Sequence, residues 1–281
     1  MQLRPYQSDL VDAVRGAWAD GARNVMAVAP TGSGKTVLFG HVISQEPGAC
    51  VAIAHRQELV TQMSLALARY GVRHRVIGPA SVAKACVSLH VSELGRGFYD
   101  AQARCAVAGV DTLIRRDPNA DPWFQQVTLV VQDEVHHLLA GNKWGKASEM
   151  FPNARTLGVT ATPVRADGKG LGRHADGVID VMVEGPDMRE LIDAGYLTDY
   201  RVFAPRTVDL DLTQVTTSVS GDFSPPKLRE AVHKSRIVGD VVGHYQRIAG
   251  GKLGVTFAVD VESAQELCVA YRAAGVPAEV V

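Results

Sequence analysis

Residues 29–36 read APTGSGKT and follow a short apolar run that is typical of a buried strand. Gly32 and Gly34 let the backbone curl with its N–H groups inward, so that the loop and the next helix cradle phosphates. Lys35 adds a positive charge, and Thr36 offers a hydroxyl to a magnesium ion. The alternative is a glycine turn that merely caps a helix. Because strand, loop and helix come in the required order, we expect a phosphate-binding loop in an α/β fold.

Short apolar runs alternate with amphipathic helical segments on both sides of this loop. The predicted strands cover residues 24–29, 50–54, 73–77, 105–108, 127–131 and 156–159. The predicted helices cover residues 6–18, 35–44, 58–70 and 187–194. This alternation predicts a parallel sheet with helices on both faces, which binds ligands at the carboxyl ends of its strands.

The composition divides the chain into parts. We expect a first domain at 1–204, a linker at 205–234 that begins with a stretch rich in Thr, Ser, Asp and Pro, and the start of a second domain at 235–281. Gly and charged residues between 165 and 177 predict an exposed loop. In the second domain the pattern predicts helices at 235–248 and 263–274 and strands at 253–259 and 278–281.

Bulk properties exclude several classes of protein. The 29 Lys and Arg residues nearly balance the 30 Asp and Glu residues, so that any nucleic-acid contact must be a local patch. The four cysteines are far apart in the sequence, which argues against a zinc site and a disulfide framework. No signal core or membrane-spanning run is present in the sequence, and we expect a cytoplasmic protein without membrane contact.

Residues 129–136 read LVVQDEVH and place two adjacent carboxylates at the end of an apolar strand. Carboxylates without a function are unusual at the end of a buried strand. In phosphoryl transfer, Asp133 would hold the shell of a magnesium ion, and Glu134 would orient or deprotonate the attacking water. An ordinary charge pair at a strand end is the alternative reading, which the upstream phosphate loop disfavours.

Together these motifs resemble the superfamily 2 helicases of the DEAD/DEAH-box type, and most of all the RadD-like and type III restriction-subunit-like members. Residues 133–136 resemble the DExH box, and residues 160–162, reading TAT, resemble the coupling motif. Residues 3–7, reading LRPYQ, are similar to the upstream element that recognises adenine. The resemblance implies a RecA-like P-loop NTPase domain that uses ATP and Mg²⁺, followed by the start of a second RecA-like domain.

The resemblance also implies individual roles. Lys35, Asp133, Glu134 and His136 would be catalytic, with Thr36 and Asp133 as metal ligands. Nucleotide contacts would come from Arg4, Gln7, Thr31, Gly32, Ser33, Gly34, Lys35 and Thr36. Thr160 and Thr162 would couple the two domains. Each residue outside the loop also has a structural alternative: Gln7 as a surface residue, His136 as a core histidine, and the threonines as partners of a strand end.

Two further segments resemble the nucleic-acid track of the same family, residues 54–59 (AHRQEL) and residues 109–113 (GVDTL). They nominate Arg56, Thr112 and Arg115 as nucleic-acid contacts, although arginines on loops are equally typical of solvated surface. Asp111 departs from the family pattern, and we expect its charge to repel phosphate.

We therefore expect an ATP-dependent helicase or translocase whose nucleic-acid partner is DNA. By the resemblance, the sequence stops inside the second motor domain, before the arginines that raise the rate of related proteins by on the order of 10³ to 10⁵. A second hypothesis is accordingly a catalytically weak remnant that binds nucleotide or DNA, or a subunit whose protein partner supplies the C-terminal half. A small-molecule kinase is the third, and the TAT and LRPYQ motifs argue against it.

Overall fold

The computed structural model describes residues 2–139, 141–164, 170–175, 177–204, 213, 215, 227–228, 231 and 237–281. The chain divides into two compact units, Met1–Asp199 and Tyr200–Val281. The predicted linker at 205–234 lies almost entirely outside the described residues, as do residues 165–169 and 176 of the predicted loop. The domain limits expected at 204 and 235 stay predictions.

In the first unit, the strands of the described residues form one parallel sheet. They are β1 (Asn24–Val28), β2 (Ala49–Ala54), β3 (His74–Ile77), β4 (Cys105–Gly109), β5 (Val127–Asp133), β6 (Arg155–Thr160) and β7 (Val181–Glu184). Across the sheet they lie in the order β3-β4-β2-β5-β6-β1-β7, and each neighbouring pair is parallel. The predicted parallel sheet is confirmed, and the predicted strands match β1 to β6 to within two residues at each end.

Helices cover both faces of this sheet. They are α1 (Pro5–Ala19), α2 (Lys35–Gln45), α3 (Gln57–Arg69), α4 (Ala80–Leu94), α5 (Val110–Leu113), α6 (Trp123–Gln126), α7 (Lys143–Glu149) and α8 (Met188–Asp193). Side chains alternate along each strand, so that Val25 and Ala27 join the core beneath α1 to α4, and Met26 joins the core beneath α5 to α7. Burial on both faces explains why the strands read as continuous apolar runs.

Strand β7 and the helices α4, α5, α6 and α7 of the first unit escaped the sequence pattern. Strand β7 pairs with β1 at the edge of the sheet, and its side chains are mostly exposed, so that burial imposes no apolar alternation on it. Helix α4 buries only Val82, Cys86 and His90, which makes its apolar face too weak to read from the sequence.

The second unit contains helix α9 (Ile237–Ala249) and helix α10 (Val261–Ala273), close to the two predicted helices. The strands predicted at 253–259 and 278–281 do not form. A strand requires a hydrogen-bonded neighbour, and no strand is present among the described residues of this unit. Leu253 and Phe257, which lie in the segment predicted as a strand, are 103% and 92% exposed.

The four thiols are buried and free of disulfides. Cys50 and Cys105 face each other in the register of β2 and β4. The hydrogen bond to Cys105, together with burial, raises the pKa of Cys50. Among the described residues, no helix has both the length and the apolar composition needed to cross a bilayer.

A buried polar network joins α3, β3 and α4. The Ser64 hydroxyl lies 2.7 Å from His74 Nε2 and 3.0 Å from His90 Nε2. His74 Nδ1 donates to the Val72 carbonyl, so that its Nε2 accepts the Ser64 hydrogen. His90 Nδ1 accepts from the Phe98 N–H, so that its Nε2 donates to Ser64. Both histidines are therefore neutral, and every polar atom of the network has a partner.

Acid should weaken the first unit through this network. Burial lowers the pKa of His74 from 6.5 to about 4. Between these values the unfolded chain binds the additional proton, so that the free energy of unfolding falls as the pH falls. We expect urea unfolding to show a loss on the order of 2 kcal/mol from about pH 7.5 to about pH 5.

The matched variant is His74→Gln, which removes the titrating ring. Its stability should be lower than that of the wild type at neutral pH, because Ser64 loses a buried partner. Its stability should also change less with pH. An equally steep pH dependence in the variant would contradict the assignment to His74.

Candidate active site

Three adjacent strand ends bring the predicted catalytic motifs together. In the sheet, β6 lies between β5 and β1, and residue Asp133 pairs with Val159 while Val28 pairs with Thr160. The phosphate loop (residues 29–36) follows β1, the acidic pair (Asp133 and Glu134) ends β5, and the TAT segment ends β6. These motifs are far apart in sequence and meet at one edge because parallel strands share a carboxyl end.

The phosphate loop has the backbone conformation that its glycines permit. Gly32 and Gly34 lie in the left-handed region, with φ of 84° and 83°, and Gly34 begins α2. A Cβ atom at Gly34 would lie 2.5 Å from the Gln7 amide nitrogen, so that only glycine fits. Thr31 and Thr36 are exposed on the loop. The Ser33 hydroxyl is buried and finds no partner among the described residues, which fits an anion-binding loop.

Lys35 lies beneath the loop. Its Nζ donates to the carbonyls of Ala29 at 3.1 Å and Pro30 at 3.3 Å. Burial lowers the pKa of Lys35, and the negative charges of Glu134 and Asp133 oppose that shift. The cation is thus held by neutral carbonyls and lies in the field of both carboxylates, and an anion in the loop would offer it a stronger partner.

The acidic pair occupies a strained turn. Glu134 has φ of 51° and ψ of 48°, and among the described residues it is the only non-glycine with positive φ. Such a conformation costs on the order of 1 kcal/mol and clusters at functional sites. The Glu134 N–H donates to Asp133 Oδ1 at 3.0 Å. Burial raises the pKa of Asp133, and the charge of Glu134 raises it further.

His136 connects the acidic pair to the TAT segment. Its Nδ1 lies 2.9 Å from the Thr160 hydroxyl and 3.3 Å from Glu134 Oε2. The Thr160 hydroxyl donates to the Thr162 carbonyl and accepts from the Thr162 N–H, so that Nδ1 of His136 is the donor. A displacement of Glu134 would therefore change the contact between His136 and Thr160 at the end of β6. The structure thus brings together Glu134, His136, Thr160 and Thr162, which have predicted catalytic or coupling roles.

Gly158 supports the turn that carries His136. A Cβ atom at Gly158 would lie 2.4 to 2.7 Å from the Val135 side chain, which packs directly over the β6 backbone. Val135 itself is buried in the core beneath α5 to α7. The absence of a side chain at Gly158 thus sets how closely the 3₁₀ turn Val135–His137 approaches the sheet.

The upstream LRPYQ element contacts the phosphate loop. The Tyr6 hydroxyl donates to the Ser33 carbonyl at 2.7 Å, and Gln7 Nε2 donates to the same carbonyl at 2.8 Å. Gln7 Oε1 accepts from the Arg4 N–H at 3.0 Å. Gln7 is only 4% exposed, which excludes the alternative of a surface residue. Tyr6, to which the sequence reading gave no role, belongs to this contact.

A second site lies at the ends of β2, β3 and β4. Arg56 and Thr112, two of the predicted nucleic-acid contacts, line a small cleft there together with His55, Gly78, Pro79 and Asp111. Arg56 is exposed at the start of α3. Arg115 is exposed but does not line this edge cleft. Trp144 is 4% exposed and packs in the core, so that it is no base-stacking platform.

The charge of Asp111 has a partner that the sequence reading missed. Lys143 Nζ lies 3.0 and 3.1 Å from the two carboxylate oxygens of Asp111. The expected repulsion of phosphate by Asp111 is thereby reduced, because a cation from the start of α7 offsets it. The two residues are 32 positions apart in sequence, and no local pattern links them.

The sequence profile of the family described as type III restriction enzyme, res subunit, matches residues 1–165. That range is more than half of the 281 residues. It contains the LRPYQ element, the phosphate loop, the acidic pair and the TAT segment.

Individual relatives cover more of the chain. A 51.5 kDa protein of a Lactococcus phage is 26% identical over 256 residues, which cover 90% of this chain and 48% of the phage protein. The irc3 protein of Schizosaccharomyces pombe, whose name describes a mitochondrial ATP-dependent helicase, is 26% identical over 298 aligned residues, covering 99% of this chain and 44% of that protein. The chain thus spans about half the length of the curated relatives it matches.

A solved structure shows the same fold. The crystal structure of the Hef helicase domain from Pyrococcus furiosus aligns with a TM-score of 0.50 at 16% identity, covering 98% of this chain and 55% of that one. The expected RecA-like fold, with a parallel sheet covered on both faces, is confirmed.

Gly158→Ala should destabilise the protein, because the new methyl group would displace Val135. We expect a loss of about 1 to 3 kcal/mol in the free energy of urea unfolding. Gly16→Ala in α1 is the matched control: nothing lies within 4 Å of its Cβ position, and alanine in a helix should add about 0.5 to 1 kcal/mol. Equal effects of the two substitutions would contradict the proposed packing.

Proposed function

The chain belongs to the family of type III restriction enzyme res subunits, and we propose that it acts as the ATP-dependent motor domain of a nucleic-acid helicase or translocase. The convergence of Lys35, the acidic pair and Thr160 at adjacent strand ends carries this proposal. The helicase name of the irc3 relative supports it.

The described residues fit a magnesium nucleotide. The N–H groups at the start of α2 and the buried Ser33 hydroxyl suit phosphate oxygens. Thr36 and Asp133 offer oxygen ligands, and a magnesium ion retains waters and phosphate oxygens for its other positions. When bound, the ion would neutralise phosphate charge. Lys35 would exchange its carbonyl partners for phosphate oxygens.

Hydrolysis would depend on Glu134. In our proposal its carboxylate orients and deprotonates the attacking water. Its distance of 3.3 Å from His136, which in turn contacts Thr160, supports a path by which a change at Glu134 reaches the TAT segment. We also propose, from the resemblance alone, that full turnover requires arginines of a second motor domain, in the same or a partner polypeptide.

Nucleic acid would bind at the edge cleft. Arg56 and Thr112 line it, and Arg115 would contact the strand outside it. The acidic pair and this cleft lie on the same edge of the sheet, since both follow the carboxyl ends of parallel strands. We propose DNA as the nucleic acid.

Lys35→Ala should weaken nucleotide binding, and Glu134→Gln should preserve it. We expect affinity for magnesium ATP, measured by calorimetry, to fall about tenfold or more in Lys35→Ala, because a charge-assisted contact is lost. In Glu134→Gln the affinity should remain, and any steady-state hydrolysis should fall about 100-fold, because the general base is lost.

The matched control is Lys84→Ala, which removes an exposed lysine from α4 and should change neither quantity. Hydrolysis is measured with and without single-stranded and duplex DNA. If the wild-type chain binds no magnesium ATP, or if Lys35→Ala binds it as tightly as the wild type, the motor function is wrong.

Two substitutions at the edge cleft should change DNA affinity in opposite directions. Arg56→Ala should weaken binding of labelled single-stranded DNA and lower its salt dependence, because one phosphate contact is lost. Asp111→Asn should strengthen binding by about threefold, since it removes a negative charge and frees Lys143 for phosphate. Fluorescence anisotropy at two salt concentrations measures both. A weaker complex for Asp111→Asn would show that Lys143 must stay on Asp111.

A further inference from the structure

We propose that Tyr196 is a positioning residue for the base of the bound nucleotide, because its ring fixes the Arg4 guanidinium as a flat stacking surface. This inference rests on the proposed nucleotide function and deepens it. Tyr196 follows α8 and received no role from the sequence motifs.

The residue expected to read the base also bonds to the protein. Gln7 donates to the Ser33 carbonyl and accepts from the Arg4 N–H, and its side chain is buried. The Gln7 amide keeps one donor and one acceptor site for a base, since the two contacts use only one of each. A base at Gln7 would in addition gain from a planar surface on which to stack.

Arg4 offers that surface. It is exposed at the start of α1, directly beside Gln7, and its Cζ atom lies 5.1 Å from the centroid of the Tyr196 ring. A planar guanidinium over an aromatic face is a favourable cation–π arrangement. The guanidinium is held between the Tyr196 ring and the Tyr6 hydroxyl, to which Arg4 Nη1 donates at 3.3 Å, so that Arg4 can stack on a heterocyclic base with little loss of side-chain freedom on binding.

The Tyr196 ring is itself held in place. It packs edge-on against Tyr6 with ring centroids 5.1 Å apart, and the Tyr6 hydroxyl donates to the Ser33 carbonyl. The next residue, Leu197, lies against the phosphate loop, with Cδ2 3.0 Å from the Cβ position of Gly32. The segment after α8 is thus tied to both Arg4 and the loop, which sets the base surface relative to the phosphate site.

Binding of two ligands separates this role from simple support of the loop. Calorimetry with magnesium would compare ATP with inorganic tripolyphosphate, which has the phosphates but no base. In Tyr196→Leu we expect ATP affinity to fall about threefold to tenfold. Tripolyphosphate affinity should stay at the wild-type value. Tyr196→Phe should behave as the wild type, because the described contacts of Tyr196 use its ring.

The variant Arg4→Lys provides a second test of the base surface. It keeps the charge and removes the planar face, and it should weaken ATP by a similar factor. In that background Tyr196→Leu should cause no further loss, since the two residues act as one unit. Tyr99→Leu, at a tyrosine that is 41% exposed beside β3, is the control for loss of a tyrosine ring elsewhere.

Each remaining outcome overturns the inference. Equal losses of ATP and tripolyphosphate in Tyr196→Leu would mean that the ring only supports the phosphate loop. No loss of either ligand, or additive losses with Arg4→Lys, would remove Tyr196 from the base site. If the wild type binds tripolyphosphate as tightly as ATP, the site has no surface for the base. That result would not contradict the motor function. Wild-type binding of neither ligand would overturn the motor function itself.

Discussion

The pairing of β6 with β5 on one side and β1 on the other is the constraint on which the candidate site depends. This register sets Asp133 beside Val159 and Val28 beside Thr160, so that three chain segments leave the sheet at the same height. A shift of one residue in either ladder would turn each side chain to the opposite face. The core residues that alternate along these strands therefore also fix the position of the catalytic groups.

Charged side chains of both signs lie close together at this edge of the sheet. Lys35 is surrounded by carbonyls and faces two carboxylates, and burial shifts the pKa of Lys35 down and that of Asp133 up. Both side chains are partly buried, which is the cause of these shifts. A bound phosphate and a divalent cation would together supply the opposite charges that this arrangement lacks. This arrangement supports our proposal that the ligand is a magnesium nucleotide.

Local sequence patterns predicted the elements well, and long-range contacts poorly. The five inner strands, β1, β2, β4, β5 and β6, could be read because burial on both faces makes them apolar, and Gly34 could be read from the phosphate-loop motif. The order of the strands, the edge strand β7 and the Asp111–Lys143 pair could not, since each depends on residues far away in sequence. The strand predicted at 253–259 failed for the same reason: an apolar run specifies a strand only when a neighbour pairs with it.

The network of Ser64, His74 and His90 has a consequence for how the sequence can vary. The Nδ1 atom of each ring is bonded to a backbone group, and the two Nε2 atoms share the Ser64 hydroxyl. Replacing one member leaves a buried polar atom unpaired, and replacing all three by apolar side chains would still leave the Phe98 N–H without its acceptor. A substitution at any one of the three positions therefore leaves a buried partner on another element of the fold without its hydrogen bond.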